Sequence, residues 1–158
     1  MNVLLPGDVS HQVLNNKKTK NARVTNSKGT TSFGQIPKLN SQFPEAEVIL
    51  KLGDPGFYDL KVKQLKGAFG LRHIWDKHRS EINAQDASDV VKFIENVIRG
   101  GAEVLIEYGK DPNKPIILES SSGMVIVELK RPQGEDPYYS IVTAYDRKSH
   151  PGTLMGTL

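Results

Sequence analysis

The feature that most restricts how this chain can fold is a change of hydrophobic period at Gly100-Gly101. Before it, Val90, Val91, Ile94, Val97 and Ile98 recur at helical spacing, forming one apolar stripe. This predicts a helix over residues 87–99, capped by Asp86 or Ser88 and stopped by the two glycines. After it come four β-rich runs, 102–108, 115–120, 124–130 and 138–146, separated by turn formers such as Ser121-Ser122-Gly123 and Pro132-Gln133-Gly134. Connections this short join antiparallel neighbours. Residues 71–82 predict an earlier helix with Leu71, Ile74, Trp75 and Ile82 on one face. The expected class is therefore α+β, with N-terminal helices packed on a four-stranded antiparallel β-meander.

The rest of the chain is less regular. Residues 45–52 form a short element of either type, stopped by Gly53-Asp54-Pro55-Gly56, and residues 57–69 fit helix or strand until Gly70 breaks them. Pro151-Gly152 is expected to end regular structure. Residues 7–44 are rich in Asn, Lys, Ser, Thr and Gly, and their sparse apolar residues follow neither period. Residues 1–44 therefore read as a basic polar linker and 45–158 as the folded domain.

Charge follows the same division. Residues 1–44 hold six Lys/Arg against Asp8 alone, a balance of +5, whereas 45–158 hold fifteen Lys/Arg against seventeen Asp/Glu, a balance of −2. The domain is then no basic body for duplex DNA, though a few cations could gather in one cleft. The chain has no cysteine, which removes disulfides, thiol nucleophiles and thiolate zinc sites. No apolar run approaches the roughly 20 residues that span a bilayer, so stable membrane insertion is not expected. The opening Met1 to Pro6 turns polar too soon for a signal peptide, so any export is expected to depend on residues outside these.

Chemistry concentrates in Leu71-Arg72-His73-Ile74-Trp75-Asp76-Lys77-His78-Arg79, with two of the four histidines beside one Lys and two Arg. His73 and Lys77 are four apart and share a helix face. A neighbouring cation favours the neutral imidazole that acts as a base, and the ammonium can stabilise a phosphorane. His78 falls within the apolar face, so it is either a core histidine or a group reaching a cleft where helix meets sheet. His73 and Lys77 could equally form a plain solvated face. His73 and His78 are five apart, about 140° around a helix, and clamp one ion poorly, so neither metal nor cofactor is expected. In residues 138–146, alternation places Tyr139, Ile141, Thr143 and Tyr145 on one face, and Tyr138, Ser140, Val142 and Ala144 on the other. Thr143 and Tyr145 could bind phosphate or orient a base, with Arg147 just beyond them, although both are also good strand formers.

The segment from Gly70 to Arg79, followed by a helix, a strand meander and Ser140-Ile141-Val142-Thr143-Ala144-Tyr145, resembles the phage- and toxin-associated branch of the barnase/EndoU/colicin/RelE-like ribonuclease superfamily. The likeness covers residues 57–147. It implies a barnase-like, metal-independent endoribonuclease, a C-terminal toxin domain of a contact-dependent or polymorphic toxin system. Such a toxin would cut tRNA or other structured RNA and be blocked by a cognate immunity protein. It would be secreted as part of a larger effector and delivered to the cytoplasm of a target cell. The family's helix histidines would fall on His73 and His78, and its strand hydroxyls on Thr143 and Tyr145. Lys77 stands where relatives often carry Arg, keeping the charge without bidentate geometry.

The expected reaction is attack of a 2′-hydroxyl on the adjacent phosphorus, leaving a 2′,3′-cyclic phosphate. His73 would be the base, and His78 or Tyr145 the acid. Lys77 and Arg72 would stabilise the phosphorane, Thr143 would bind a phosphate oxygen, and Arg79, Ser140 and Arg147 would bind substrate. The rival readings are an inactive binding module of the same fold and a metal-dependent nuclease.

Overall fold

The computed structural model describes residues 3–107, 116–147 and 152–158. Its strands are β1 (Val3–Leu4), β2 (Arg23–Val24), β3 (Ser32–Ile36), β4 (Ala46–Lys51), β5 (Phe57–Asp59), β6 (Gln64–Lys66), β7 (Glu103–Ile106), β8 (Ile116–Ser120), β9 (Gly123–Lys130), β10 (Tyr138–Tyr145) and β11 (Thr153–Thr157). Its α-helices are α1 (His11–Leu14), α2 (Gly70–His78) and α3 (Ala87–Val97). Among the described residues, nine strands form one mixed sheet in the order β1-β2-β4-β10-β9-β8-β7-β11, with β3 also paired to β4. β5 and β6 make a separate hairpin. No described helix is long and apolar enough to cross a membrane.

This overturns the expected class of helices on a four-stranded antiparallel meander. Strand outweighs helix, 37% to 19%, and the sheet is extended at both ends. β7, β8, β9 and β10 do pair antiparallel in sequence order, but β10 also pairs in parallel with β4, Tyr139 beside Val48 and Ser140 beside Ile49. β10 is thus an interior strand with neighbours on both edges. At the far side β11 pairs with β7, so regular structure does not end at Pro151-Gly152. The undecided element at 45–52 is β4. Its consecutive Val48, Ile49 and Leu50 are all buried, the continuous apolar run of a strand covered on both faces.

The described residues 3–44 contribute to the core. Val9, Leu14, Ala22, Val24, Phe33 and Ile36 are buried in the main core with Leu71, Ile74, Val90, Ile94 and Tyr139. They escaped a periodicity search because each sits in an element of two to five residues or in a turn between such elements. β2 and β3 both add antiparallel to β4, and Ser10 caps α1 by accepting from the Val13 amide.

The expectation for α3 agrees with the structure. Asp86 caps it by accepting from the Asp89 amide at 2.9 Å, and Val90, Val91, Ile94, Val97 and Ile98 are buried. α2 is set by two glycines in the left-handed region. A Cβ on Gly53 (φ +78°) would lie 1.9 Å from the Phe69 carbonyl oxygen, and one on Gly70 (φ +78°) 2.6 Å from that of Lys51. Only glycine allows the end of β4 and the start of α2 to touch in this way. The Arg72 amide then donates to the Leu52 carbonyl at 2.9 Å, joining helix to strand.

Candidate active site between helix α2 and strand β10

α2 buries Leu71, Ile74 and Trp75 in the core and packs against β10. Its C-terminal end reaches the end of β10, where three rings meet. The His73 and His78 rings stand edge to face with centroids 5.8 Å apart, and His78 stacks on Tyr145 at 5.2 Å with a 28° interplanar angle. His73 is buried, while His78 and Tyr145 are partly open to solvent.

The turn after α2 supplies a carboxylate that sequence reasoning missed. Glu81 accepts from His78 Nδ1 at 2.5 Å, and its other oxygen accepts from the Asp146 amide at 3.4 Å. Glu81 thereby ties the histidine to the residue following Tyr145. The available signal was the three-residue spacing of His78 and Glu81, which brings side chains together along a helical turn. Partial burial pushes the Glu81 carboxyl up, but its hydrogen bonds with His78 and Asp146 and the charge on His78 outweigh this. It therefore lies below the ordinary carboxylate value. Burial raises the Tyr145 phenol; Arg147 opposes the shift, while Glu107 and Glu81 add to it. The phenol stays protonated at neutral pH and can donate.

A β-bulge decides which way the β10 hydroxyls point. Ile141 pairs with Val127, but Thr143 pairs with Ile126, leaving Val142 as the extra residue. Directly paired residues share a face. Thr143 and Tyr145 therefore lie with Ile126 and Met124, and Ser140 with Glu128, on the face opposite the core residues Tyr139, Ile141 and Ala144. The simple alternation expected for 138–146, which put Thr143 and Tyr145 with Tyr139 and Ile141, is corrected by this one-residue shift. Ser140 and Thr143 are buried, and among the described residues their hydroxyl oxygens find no hydrogen-bond partner.

The cations are distributed differently from expectation. Arg72 is not available to substrate. It is fully buried and donates from Nε to the Val13 carbonyl at 3.0 Å, from Nη1 to the Gly53 carbonyl at 3.0 Å, and from Nη2 to Asn16 Oδ1 at 2.8 Å. Burial lowers its pKa and the nearby Asp54 charge partly restores it; the guanidinium remains a cation. Its role is to fasten the N-terminal segment to the β4–α2 junction. Arg79 is held by its own helix, donating to the Trp75 carbonyl at 2.8 Å with its guanidinium 5.1 Å from the Trp75 ring centroid. Lys77 is exposed although His73, four residues earlier, is buried, because the helix emerges into solvent along this turn. Arg147 is exposed beyond Tyr145.

The fold thus gathers His73, His78 and Tyr145, places Thr143 on the same strand face as Tyr145, and sets Arg72 and Arg79 apart. No family model, curated protein or solved structure matches the chain.

Proposed function

We propose that this chain is a metal-independent endoribonuclease toxin that cleaves tRNA or another structured RNA. The observation that carries the reading is the series of rings His73, His78 and Tyr145, braced through His78 by Glu81. A buried imidazole, a carboxylate-anchored imidazole and a protonated phenol form a compact set of proton acceptors and donors, as hydroxyl attack on a phosphodiester requires.

In this mechanism His73 removes the proton from a ribose 2′-hydroxyl. The 2′-oxygen bonds to phosphorus, the bond from phosphorus to the 5′-oxygen breaks, and His78 protonates the leaving oxygen. The products are a 2′,3′-cyclic phosphate and a 5′-hydroxyl. Glu81 acts as a positioning residue, fixing the Nδ1 side of His78 and leaving Nε2 for the substrate. Tyr145 is a second donor at the same place; the Thr143 hydroxyl is unpartnered among the described residues but buried, and is assigned no phosphate contact. Lys77 and Arg147 are exposed cations close to these groups in sequence. Delivery by a larger secreted effector and inhibition by an immunity protein belong to the same proposal, and rest on the resemblance of segments 70–79 and 140–145 alone.

The test is inducible expression in a bacterium with total RNA resolved for discrete fragments. His73→Ala and His78→Ala should each slow cleavage by about 10²- to 10⁴-fold. With purified protein, an RNA carrying one 2′-deoxy sugar at the scissile position should resist cutting. Equal cleavage of that substrate would overturn the mechanism.

A further inference from the structure

Away from the three rings, a cleft of about 690 Å³ opens where β2, β4 and the start of β10 meet. Its walls carry Lys20, Arg23 and Lys51, with Tyr138 between them. The Arg23 guanidinium carbon and the Lys51 Nζ each lie 5.0 Å from the Tyr138 ring centroid. Arg23 and Lys51 are also directly opposite one another in the β2–β4 ladder. Like charges at such a position destabilise a sheet. Among the described residues neither cation, nor Lys20, has a carboxylate within ion-pair distance. Of the two acids lining the cleft, Asp54 is engaged by Lys17 at 3.9 Å and by the Gly56 amide at 2.7 Å. Glu135 is the other.

We infer that this cleft binds phosphodiester groups of a single RNA strand, with Arg23, Lys51 and Lys20 contacting phosphates and Tyr138 offering a surface to a base or ribose. Cations set in opposition around an aromatic ring, with no described carboxylate within ion-pair distance of them, suit an anionic chain that also carries flat groups. The cleft is larger than one phosphate needs. The N-terminal segment supplies three of the four cations that line the cleft, Lys17, Lys20 and Arg23, which gives its charge excess a location on the folded surface.

The placement deepens the ribonuclease reading and rests on it for the identity of the strand. Tyr138 and Tyr145 are the two ends of β10, about 23 Å apart at roughly 3.3 Å per residue. A substrate occupying both the cleft and the rings must therefore extend several nucleotides from the scissile bond.

The experiment is fluorescence anisotropy of the full chain with a 2′-O-methyl oligoribonucleotide of about 12 residues, which cannot be cut by 2′-hydroxyl attack but fills a single-strand site. Titrations over a range of salt compare wild type with Arg23→Gln/Lys51→Gln. Expected is about a tenfold loss of affinity at moderate salt, and a log–log salt slope smaller by about 1.4, at about 0.7 per phosphate contact removed. Far-UV circular dichroism and the melting temperature should not fall, since the double variant relieves a like-charge pair. Unchanged affinity and slope in a folded double variant would overturn the proposal. So would polyglutamate displacing the oligonucleotide at equal charge concentration, which would mark the cleft as an acidic-protein site, and so would inorganic phosphate displacing it at low millimolar concentration. Cleavage is scored separately on unmodified RNA. Cleft-dependent binding without any cleavage would leave the cleft standing and remove the ribonuclease reading. Cleavage with cleft-independent binding would do the reverse.

Discussion

Replacing Arg72 separates a structural guanidinium from a catalytic one. The side chain is fully buried and satisfies three acceptors: the carbonyls of Val13 and Gly53 and the amide oxygen of Asn16. Arg72→Ala leaves all three without their donor. The Gly53 oxygen lies in the buried part of this cluster and bears the full cost of an unmatched polar group, about 1–3 kcal/mol. The contacts to Val13 and Asn16 are only part-buried, so water recovers some of their loss. Adding the packing lost with the aliphatic stem and subtracting the relief of no longer burying a charge, the net destabilisation is about 3–5 kcal/mol. That is a large share of the total stability of a domain, equivalent to a melting temperature about 10 °C lower at this size. Arg72→Lys keeps the charge, but a compact ammonium cannot span three separated acceptors, so it should lose about 2 kcal/mol. Urea titration followed by circular dichroism measures both, and limited proteolysis should show earlier cutting within residues 10–25. An Arg72→Ala protein with unchanged urea midpoint and abolished RNA cleavage would refute the structural assignment and return the guanidinium to the substrate.

Two further substitutions test the local arguments. Gly70→Ala places a Cβ 2.6 Å from the Lys51 carbonyl oxygen at φ +78°; the left-handed strain and the clash together should cost about 2–4 kcal/mol, read from the urea midpoint. Glu81→Gln tests the carboxylate. Because the folded Glu81 lies below its ordinary value of 4.5, its ionised form stabilises the fold above that pH, and the contribution is lost as pH falls through the lower folded value. The Gln variant should therefore show a shallower acid decline of melting temperature below about pH 4.5 than wild type; superimposable acid limbs would contradict the His78–Glu81 contact.

The elements legible in the sequence are those with long, unbroken patterns. α3 carries its cap, stripe and stop in one stretch of chain, and the runs that became β8, β9 and β10 are bounded by strong turn formers. The N-terminal half was opaque because β1, β2, β5 and β6 are only two or three residues long, too few to display a period, and the buried run of β4 does not alternate. β1 and β2 have two residues each, and gain their place only by pairing with each other and with β4. The candidate site was legible in part. His73, His78 and Tyr145 stood out as residue types, and the structure brings their rings together. Glu81 was passed over because nothing marks one carboxylate in a charged turn until its partner is placed beside it.

By itself, the sequence determined residue chemistry and local propensity: the α3 helix, the turn-bounded strands, the absence of cysteine chemistry and the clustering of imidazoles and cations in one stretch. Tertiary structure alone decided that β10 is interior, that a bulge at Val142 turns Thr143 and Tyr145 away from the core, and that Arg72 is a buried fastener. Strand order, register and the burial of a charge depend on contacts between residues distant in the chain, such as Pro44 with Tyr139 and Arg23 with Tyr138. Local patterns carry no information about which of many possible partners such residues will meet.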